Sequence, residues 1–468
     1  MHELYILSVA AYWLAVAAGA LHVLLDNRQP PKTVAWVLVL VFVPVAGPVL
    51  YVFFGRNHRR QRLIGERSLG QLSRRSMLGF AEQGAAGPRG RFKTVARLFA
   101  RQNLALPFTA RTVEVMTDGP SFALRLLRDV GRARQHIHID LYIFEDDALG
   151  RLLSDALIDK ARQGVEVRLV YDDVGCWRVD GAFFERMRLE GIEACPFLPV
   201  RFPSFTGKVN YRNHRKLIVI DGRTGYIGGM NVAMRYMAPS WRDTMVRLEG
   251  SVVYALQRAF LIDWYFVDRT LISDRRYYPP AAAGARGPVQ VVTSSPASPF
   301  PEIMQGYVQI ISRARSYIYI ETPYFMPTEP VLFALKTAAA AGVDVRLVCP
   351  LRADSRLAGW AARSYLREMS EAGATVMLWP DGFIHSKLMV CDDCLATCGS
   401  TNVDFRSFEN NFEANAFFYD EATALEFKRV FLNDEGRCVP FGSVAEWQRG
   451  GLAWRLWESL MRLLAPLM

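Results

Sequence analysis

Two apolar stretches open the chain. Residues 4–25 carry no formal charge, and residues 33–54 form a second, more apolar run of similar length. At about 1.5 Å per helical residue each is long enough for a hydrocarbon core of about 30 Å, so the pattern predicts two membrane-spanning helices. Pro44, Gly47 and Pro48 kink the second and leave a re-entrant course open. A cleaved leader fits the first run poorly, because Met1, His2 and Glu3 supply no basic n-region. Residues 56–101 then turn polar, basic and rich in Gly and Ser, with a helical period over residues 92–99. Beyond them, helix-like periods at residues 122–130, 149–162, 330–341 and 364–372 alternate with short β-branched runs. That alternation predicts an α/β sandwich with mixed sheets.

The alternation is written twice. Ala133-Arg134 followed by HIHIDLYIF matches Ala314-Arg315 followed by YIYIETPYF, and the run beginning at Gly164 (GVEVRLV) matches the one beginning at Gly342 (GVDVRLV). The offset is 178 residues at these glycines and 171 between His214 and His385. Tandem copies of one domain therefore follow the anchor. The expected boundaries are an anchor over residues 1–55, a basic juxtamembrane linker over 56–108, domains over 109–285 and 286–440, and an amphipathic C-terminal helix over 441–468.

Within each copy one pattern bears chemistry. Asn213-His214-Arg215-Lys216 leads into an apolar strand that ends at Asp221-Gly222, a hairpin signal, and the partner strand ends in Gly228-Gly229-Met230-Asn231. Period two puts His214 and Lys216 on one face. The second copy repeats this with His385-Ser386-Lys387, Asp392 and Gly399-Ser400-Thr401-Asn402. Carboxylates recur too, Asp243 lying 29 residues after His214 and Glu413 lying 28 after His385. One His-x-Lys is weak evidence; the whole pattern in duplicate is not a chance event. If the copies pair about a pseudo-twofold axis, both histidines and both lysines converge on one site. Such a site suits an anionic phosphodiester: the ammonium groups balance its charge, one imidazole attacks phosphorus, and the other protonates the leaving oxygen. Asn231 and Asn402 would be neutral donors, and Asp243 and Glu413 would hold the histidines' tautomer and orientation. The lysines supply the positive charge, so no metal and no cofactor is required.

The duplicated H-x-K-x4-D pattern resembles the phospholipase D superfamily. Within it, the anchor with Pro44-x2-Gly47-x3-Tyr51, the stretch NHRKLIVIDGRTGYIGGMN, the segment WRDTMVRLEG at residues 241–250, and HSKLMVCDD through STNVDFRSFENNFEAN resemble bacterial cardiolipin synthases. The resemblance implies that one phosphatidylglycerol donates its phosphatidyl group to a histidine, releasing glycerol, and a second phosphatidylglycerol takes it up to give cardiolipin. It implies His214 as nucleophile, His385 as acid and base, and Lys216, Lys387, Asn231 and Asn402 on the phosphate. Asp221 and Asp392 support the site. Gly229 against Ser400 is a departure between the copies that adds a donor on one side of the substrate-binding set. A hydrolytic phospholipase D, and a phosphatidyltransferase with another lipid donor or alcohol, stay open; a nucleic-acid phosphodiesterase is the remoter reading.

Other features carry less. His22 and His58 sit at the anchor and its edge, and His136 and His138 alternate with isoleucines on one strand, so structural roles suffice. Cys391-x2-Cys394-x3-Cys398 flanks a hairpin turn without a second pair, and the odd set of 7 cysteines points to reduced thiols. Tyr324-Phe325-Met326 and Trp177 follow strand ends, where substrate loops and core aromatics are equal readings. Trp454, Trp457, Met461 and Leu464 share a helical period, fitting an interfacial or a packed helix.

Composition excludes a disordered or collagen-like chain: 51% of the 468 residues are hydrophobic and 22% charged. Lys and Arg total 56 against 46 Asp and Glu, a formal +10. The excess is local, since residues 56–101 hold 12 basic side chains against Glu66 and Glu82. A nuclease would carry it around the catalytic domains, whereas here it lies beside the anchor, where anionic lipid attracts it. By the positive-inside rule Arg56, Arg59, Arg60 and Arg62 put the large C-terminal part in the cytoplasm. The expected setting is the bacterial cytoplasmic membrane, multi-pass, with phosphatidylglycerol and anionic lipids as partners, no nucleic acid, and a dimer left open.

Overall fold

The computed structural model describes residues 2–26, 30–43, 46–51, 87–88, 90–200, 211–281, 284–444 and 451–467. They divide into an N-terminal unit, residues 1–62 with 200–211, and a catalytic unit, residues 63–199 with 212–468.

In the N-terminal unit, helix α1 (His2–Asp26) is followed by α2 (Pro30–Phe42) and α3 (Ala46–Leu50). Gly19 lets α1 approach the Leu40 side chain closely, and the Tyr12 hydroxyl donates to Leu40 O at 3.2 Å. Val23, Leu40 and Tyr51 form a small core backed by Trp36 and Val37. The second apolar run is thus two helices rather than one. α2 stops two residues before Pro44, whose ring and missing N–H oppose continuation. Among the described residues alone, no helix is long and apolar enough to cross a membrane. Most of the basic stretch, residues 56–86 and Arg89, lies outside the described residues.

The catalytic unit contains the duplication in its strand order. The first sheet has strands β1 (Thr112–Met116), β2 (His136–Leu141), β3 (Glu166–Asp172), β4 (Glu193–Phe197), β5 (Lys216–Ile220), β6 (Thr224–Gly228) and β7 (Met245–Glu249). Their order across the sheet is β1-β7-β6-β5-β2-β3-β4. The second has β8 (Arg286–Ser294), β9 (Tyr317–Glu321), β10 (Asp344–Pro350), β11 (Thr375–Trp379), β12 (Leu388–Cys391), β13 (Leu395–Gly399) and β14 (Asn411–Phe418). Its central order, β8-β14-β13-β12-β9-β10-β11, is the first with every label advanced by seven, and Phe108–Ala110 and Val439–Pro440 add a short strand at either edge. β2, β3 and β4 run parallel while β5 lies antiparallel to β2, so both sheets are mixed as the alternation predicts.

Helices cover the sheets. α4 (Lys93–Asn103) is followed in the first repeat by α5 (Gly119–Arg132), α6 (Ala148–Arg162), α7 (Gly181–Leu189) and α8 (Val253–Asp268). In the second are α9 (Glu302–Ile311), α10 (Glu329–Ala340), α11 (Arg356–Glu371), the short α12 (Phe405–Glu409), α13 (Glu421–Glu435) and finally α14 (Leu452–Leu463). Each repeat has one large apolar core.

One expected boundary shifts. Residues 90–108, within the expected linker, pack on the second repeat: Phe92, just before α4, and Val95 and Phe99 on it are buried in that repeat's core, Phe99 lies 4.6 Å from the Phe417 ring, and Phe108–Ala110 pairs with β8. Gly306 makes room for the Phe99 ring, since a Cβ there would meet it at 2.2 Å. The spacing of Phe92, Val95 and Phe99 buries one helix face, which a headgroup-bound linker does not need.

The motif aspartates hold the hairpins to the sheet. Asp221 and Gly222 both take positive φ (53° and 62°), the conformation that Asp-Gly turns favour, and Asp392 and Asp393 do the same at 50° and 54°. Asp221 accepts N–H bonds from Arg134, Gln135 and His136 at 2.9, 2.7 and 3.0 Å. Asp392 accepts from Arg315, Ser316 and Tyr317 at 2.8, 2.8 and 2.7 Å and pairs with Arg91 at 2.7 Å. Asp392→Ala strands these donors and should cost about 2–4 kcal/mol. Denaturant titration of the full chain in detergent measures it, and an unchanged midpoint would contradict the staple.

Candidate active site

Two short parallel ladders build the site across the repeat interface. Arg212–Asn213 pairs with the first residues of β14, with Arg212 opposite Asn411 and Asn213 opposite Phe412. Phe383–Ile384 pairs with Trp241–Arg242 in the same sense. In both cases the strand leading into a histidine lies beside the strand leading into a carboxylate of the other repeat. The ladders end in His214 N–H to Phe412 O at 2.9 Å and His385 N–H to Arg242 O at 2.6 Å. The next residues face each other: His214 Nδ1 lies 3.0 Å from Glu413 Oε1, and His385 Nδ1 lies 2.6 Å from Asp243 Oδ2. Each histidine is therefore held by the opposite repeat, although spacing along the chain groups it with the carboxylate of its own.

The two lysines belong to the same arms. Lys216 Nζ donates to His214 O at 2.6 Å and lies 5.2 Å from the Tyr142 ring centroid, while Lys387 Nζ donates to His385 O. The rings are walled by aromatics: Tyr142 stands 5.0 Å edge-on to His214, and Trp241 and Phe383 lie 5.4 and 5.8 Å from His385. Burial pulls the His214 pKa down to about 4, Glu413 opposing it and Lys216 adding to it. Burial, with Lys387 adding, pulls His385 down to about 3 against Asp243. Burial likewise lowers Lys216 to about 7 and Lys387 to about 8, each held up by Glu413 and Asp243. Burial raises the two carboxylates, but their histidines and the lysines outweigh it and hold both below their ordinary values. The free site thus holds neutral imidazoles beside ionised carboxylates. Nδ1–H donates to the carboxylate, which leaves an Nε2 lone pair on each ring.

Deeper charges follow the same exchange. Arg215, between His214 and Lys216, pairs with Asp263 and also donates to Glu413 O at 3.1 Å and Ser294 O at 3.0 Å in the second repeat. Arg242 reaches Asp434 of the second repeat at 2.6 Å and donates to Asp243 O, also at 2.6 Å. Both buried arginines come from the first repeat. Ser386 stands where Arg215 does in the first copy, and its hydroxyl lies 2.8 Å from Thr244 Oγ1. Sequence reading passed over Arg215, Arg242 and Tyr142. The first two adjoin the His214 and Asp243 positions, a signal visible in the order of residues but not in its meaning.

The remaining expected residues are placed differently. Asn231 accepts from Ile143 N at 3.0 Å and donates to the Tyr236 hydroxyl, and Asn402 donates to Asp404 at 3.0 Å, so both amides are tied into their own loops. Ser400 donates to Glu413 rather than standing free, and a Cβ at the matching Gly229 would meet Asp243 Oδ1 at 2.1 Å. A serine beneath the longer Glu413 and a glycine beneath the shorter Asp243 are thus matched pairs. Asp221 and Asp392 lie at the far ends of their strands, and at about 3.3 Å per residue Asp221 is about 16 Å along from Lys216. Cys391 and Cys398 are buried with free thiols, and among the described residues no group of three or more His, Cys, Asp or Glu is placed to hold a metal ion.

Paired His-x-Lys arms on duplicated mixed sheets, each closed by the other's carboxylate, define a phospholipase D-like phosphodiester-transfer protein. Comparison with known proteins narrows this. A family model described as "Cardiolipin synthase, PLD-like domain" matches residues 126–264 and 307–435, one match in each repeat, and one described as "Phospholipase_D-nuclease N-terminal" matches residues 11–56. The major cardiolipin synthase ClsA of Bacillus subtilis (strain 168) is 37% identical over 458 residues, covering 95% of both chains. The cardiolipin synthase of Geobacillus kaustophilus (strain HTA426) is also 37% identical, over 96% of this chain and 91% of its own. The crystal structure of the phosphatidylserine synthase of Haemophilus influenzae Rd KW20 shares the fold, with a TM-score of 0.62 at 14% identity over 80% of this chain and 100% of that one. The chain belongs to the cardiolipin synthase family of phospholipase D-like phosphatidyltransferases.

Buried neutral histidines give the unit a pH signature. Besides the site pair, burial lowers His138 to about 3 and lowers His136. Unfolded histidine takes a proton near pH 6.5, which the folded rings accept only at lower pH, so protons favour the unfolded chain throughout that interval. The histidines' contribution to stability is complete above about pH 6.5 and should fall by up to roughly 1.4 kcal/mol per pH unit per histidine as the pH drops below it. Thermal midpoints across this range test it, and a flat profile would contradict neutral burial.

Proposed function

We propose that the protein makes cardiolipin from two phosphatidylglycerol molecules through a phosphohistidine on His214. The observation that carries this reading is the pair of imidazoles held through Nδ1 by Glu413 and Asp243, each with Nε2 left for phosphorus or a proton. When the phosphodiester binds, His385 Nε2 takes up a proton from water; His214 Nε2 then forms the N–P bond as the bond from phosphorus to the headgroup glycerol oxygen breaks, and His385 Nε2 gives that proton to the oxygen. The headgroup hydroxyl of a second phosphatidylglycerol then bonds phosphorus, its proton passes to His385, and the P–N bond breaks to free cardiolipin and His214. Lys216 and Lys387, lowered to about 7 and 8 in the free site, regain full charge against the phosphodiester anion.

The assignment within the pair follows from the carboxylates. Glu413 already accepts from Ser400 and, at 3.2 Å, from Asn411, whereas Asp243 has the Thr244 N–H as its further donor. The less encumbered Asp243 better supports an imidazolium, which makes His385 the acid and base. The lower free value of His385 comes partly from Lys387, whose charge a bound phosphodiester neutralises. Asn231 and Asn402 hold the loops that bound the phosphate site, Gly229 and Ser400 seat the two carboxylates, and Asp221 and Asp392 hold the hairpins that carry the lysines.

The N-terminal unit is the membrane anchor in this reading, inserted with the catalytic unit on the cytoplasmic side. Residues 4–25 carry no charge. Ile6, Leu7, Trp13, Leu14, Leu21 and Phe42 present exposed apolar surface there. The basic run from Arg56 supports the orientation.

Purified full-length protein given phosphatidylglycerol in detergent with a chelator should release equimolar glycerol and cardiolipin, and His214→Ala or His385→Ala should lower this at least about 1,000-fold. Phosphatidic acid as the only lipid product, or a need for a divalent metal, would overturn the reading. With a phosphatidyl donor whose alcohol leaves unprotonated, His385→Ala should accumulate the adduct and His214→Ala should not; the reverse pattern exchanges the two roles.

A further inference from the structure

The site described above holds one phosphodiester, yet the reaction needs a second lipid. On the same end of the second sheet, beyond the C-terminal end of β10, a cavity of about 300 Å³ opens against the first turns of α11. That is within the size range of small-molecule sites. Its wall combines apolar side chains, among them Leu351 and Trp360, with Arg352, Arg356 and Arg363. Arg356, Trp360 and Arg363 recur at helical spacing on α11 and share one face. Arg352 and Arg356 are exposed, and no ion pair to either is found among the described residues. The acid of this loop, Asp354, accepts from the Tyr324 hydroxyl at 2.6 Å.

Tyr324 links the cavity to the chemistry. It is a wall residue of the cavity, its ring lies 6.2 Å from Phe383, and Phe383 lies 5.8 Å from the His385 ring. The cavity therefore stands two aromatic rings away from the imidazole that handles the proton of the incoming hydroxyl.

On the outer side α11 is covered by α14. Trp457 meets Trp360 at 5.7 Å, and Glu458 and Arg462 pair with Arg367 and Glu368 at 2.9 and 2.7 Å. The packed face of α14 leaves Leu452, Leu456, Leu460 and Leu463 exposed, Leu452 at 77% and Leu463 at 74%. A ridge of leucines on the helix that backs a cavity with arginines at its mouth is the layout of a surface against acyl chains with anionic headgroups beside it.

Building on the function proposed above, we infer that this cavity is the subsite for the second, acceptor lipid: an anionic glycerophospholipid whose phosphate is bound by Arg352 and Arg356 and whose chains lie toward the α14 leucines. The subsite explains a preference for lipid over water in the second half-reaction. An anionic acceptor gains both guanidiniums, and water gains neither.

The test uses full-length protein in mixed micelles of phosphatidylglycerol and a neutral detergent. The readout is the ratio of cardiolipin to phosphatidic acid formed. Arg352→Gln/Arg356→Gln should lower that ratio about tenfold and raise the half-saturating phosphatidylglycerol concentration for cardiolipin formation, while Arg352→Lys/Arg356→Lys should recover part of it. An unchanged ratio in the glutamine variant would overturn the subsite. If the wild type makes no cardiolipin, the proposed function fails instead. A binding arm separates lipid from free phosphate. Inactive His214→Ala protein should bind phosphatidylglycerol vesicles more tightly than phosphatidylcholine vesicles, and the glutamine pair should reduce the difference. If millimolar inorganic phosphate abolishes that difference, the cavity takes phosphate alone and the lipid assignment falls. Replacing Leu456 and Leu460 by Gln should weaken vesicle binding; binding that is unaffected would remove the leucine ridge from the subsite.

Discussion

Exchange of carboxylates between the repeats is the constraint on which the site depends. A buried imidazole alone is neutral and free to turn; against an ionised carboxylate at 3.0 or 2.6 Å it has one tautomer and one orientation. The carboxylates are not brought there by their own domains. Backbone pairing of Arg212–Asn213 with β14, and of Phe383–Ile384 with Trp241–Arg242, sets the register that puts Glu413 beside His214 and Asp243 beside His385. Neither repeat contains a complete half-site. This is a physical reason for the duplication to persist as one chain, since a site completed across an interface needs both partners in fixed register.

Charge is distributed to suit an anion that arrives. Two ammonium groups, two carboxylates and two imidazoles share a water-poor space, and burial opposes every charge in it. Lys216 and Lys387 are weakened to about 7 and 8, so part of their charge is recovered when a phosphodiester enters. Behind them Arg215 and Arg242, both from the first repeat, balance Asp263 in one domain and Asp434 in the other. The pseudo-symmetry is kept in geometry and broken in chemistry: Gly229 under Asp243 answers Ser400 under Glu413. The donors left on the two carboxylates differ as a result. In the proposed mechanism that difference divides the equivalent histidines into nucleophile and acid.

Much of this was legible in the sequence because it is written twice. The repeat of His, Lys, Asp and a late carboxylate disclosed the paired site, and period two disclosed the shared face of His214 and Lys216. The Asp-Gly turn disclosed the hairpin, and the strand order β1-β7-β6-β5-β2-β3-β4, recurring as β8 to β14, matches the alternation read from hydrophobic periods. Other features were not legible because they depend on contacts between distant segments. Nothing in the spacing of Asp243 after His214 says that it serves His385. The α4 stripe looked like the end of a linker until Phe99 was seen against Phe417. The expected substrate donors Ser400, Asn231 and Asn402 also bond to protein groups, contacts that their spacing does not disclose.

The central claim is the crossing of the repeats, and nitrogen NMR of the imidazoles tests it directly. With only 7 histidines in the chain, selective labelling gives a spectrum that single substitutions can assign. Glu413→Gln should shift the Nδ1 signal of His214 and leave that of His385 in place, while Asp243→Asn should do the opposite. If Glu413→Gln moved His385 instead, each histidine would be served by its own repeat, and the account of the site would be wrong.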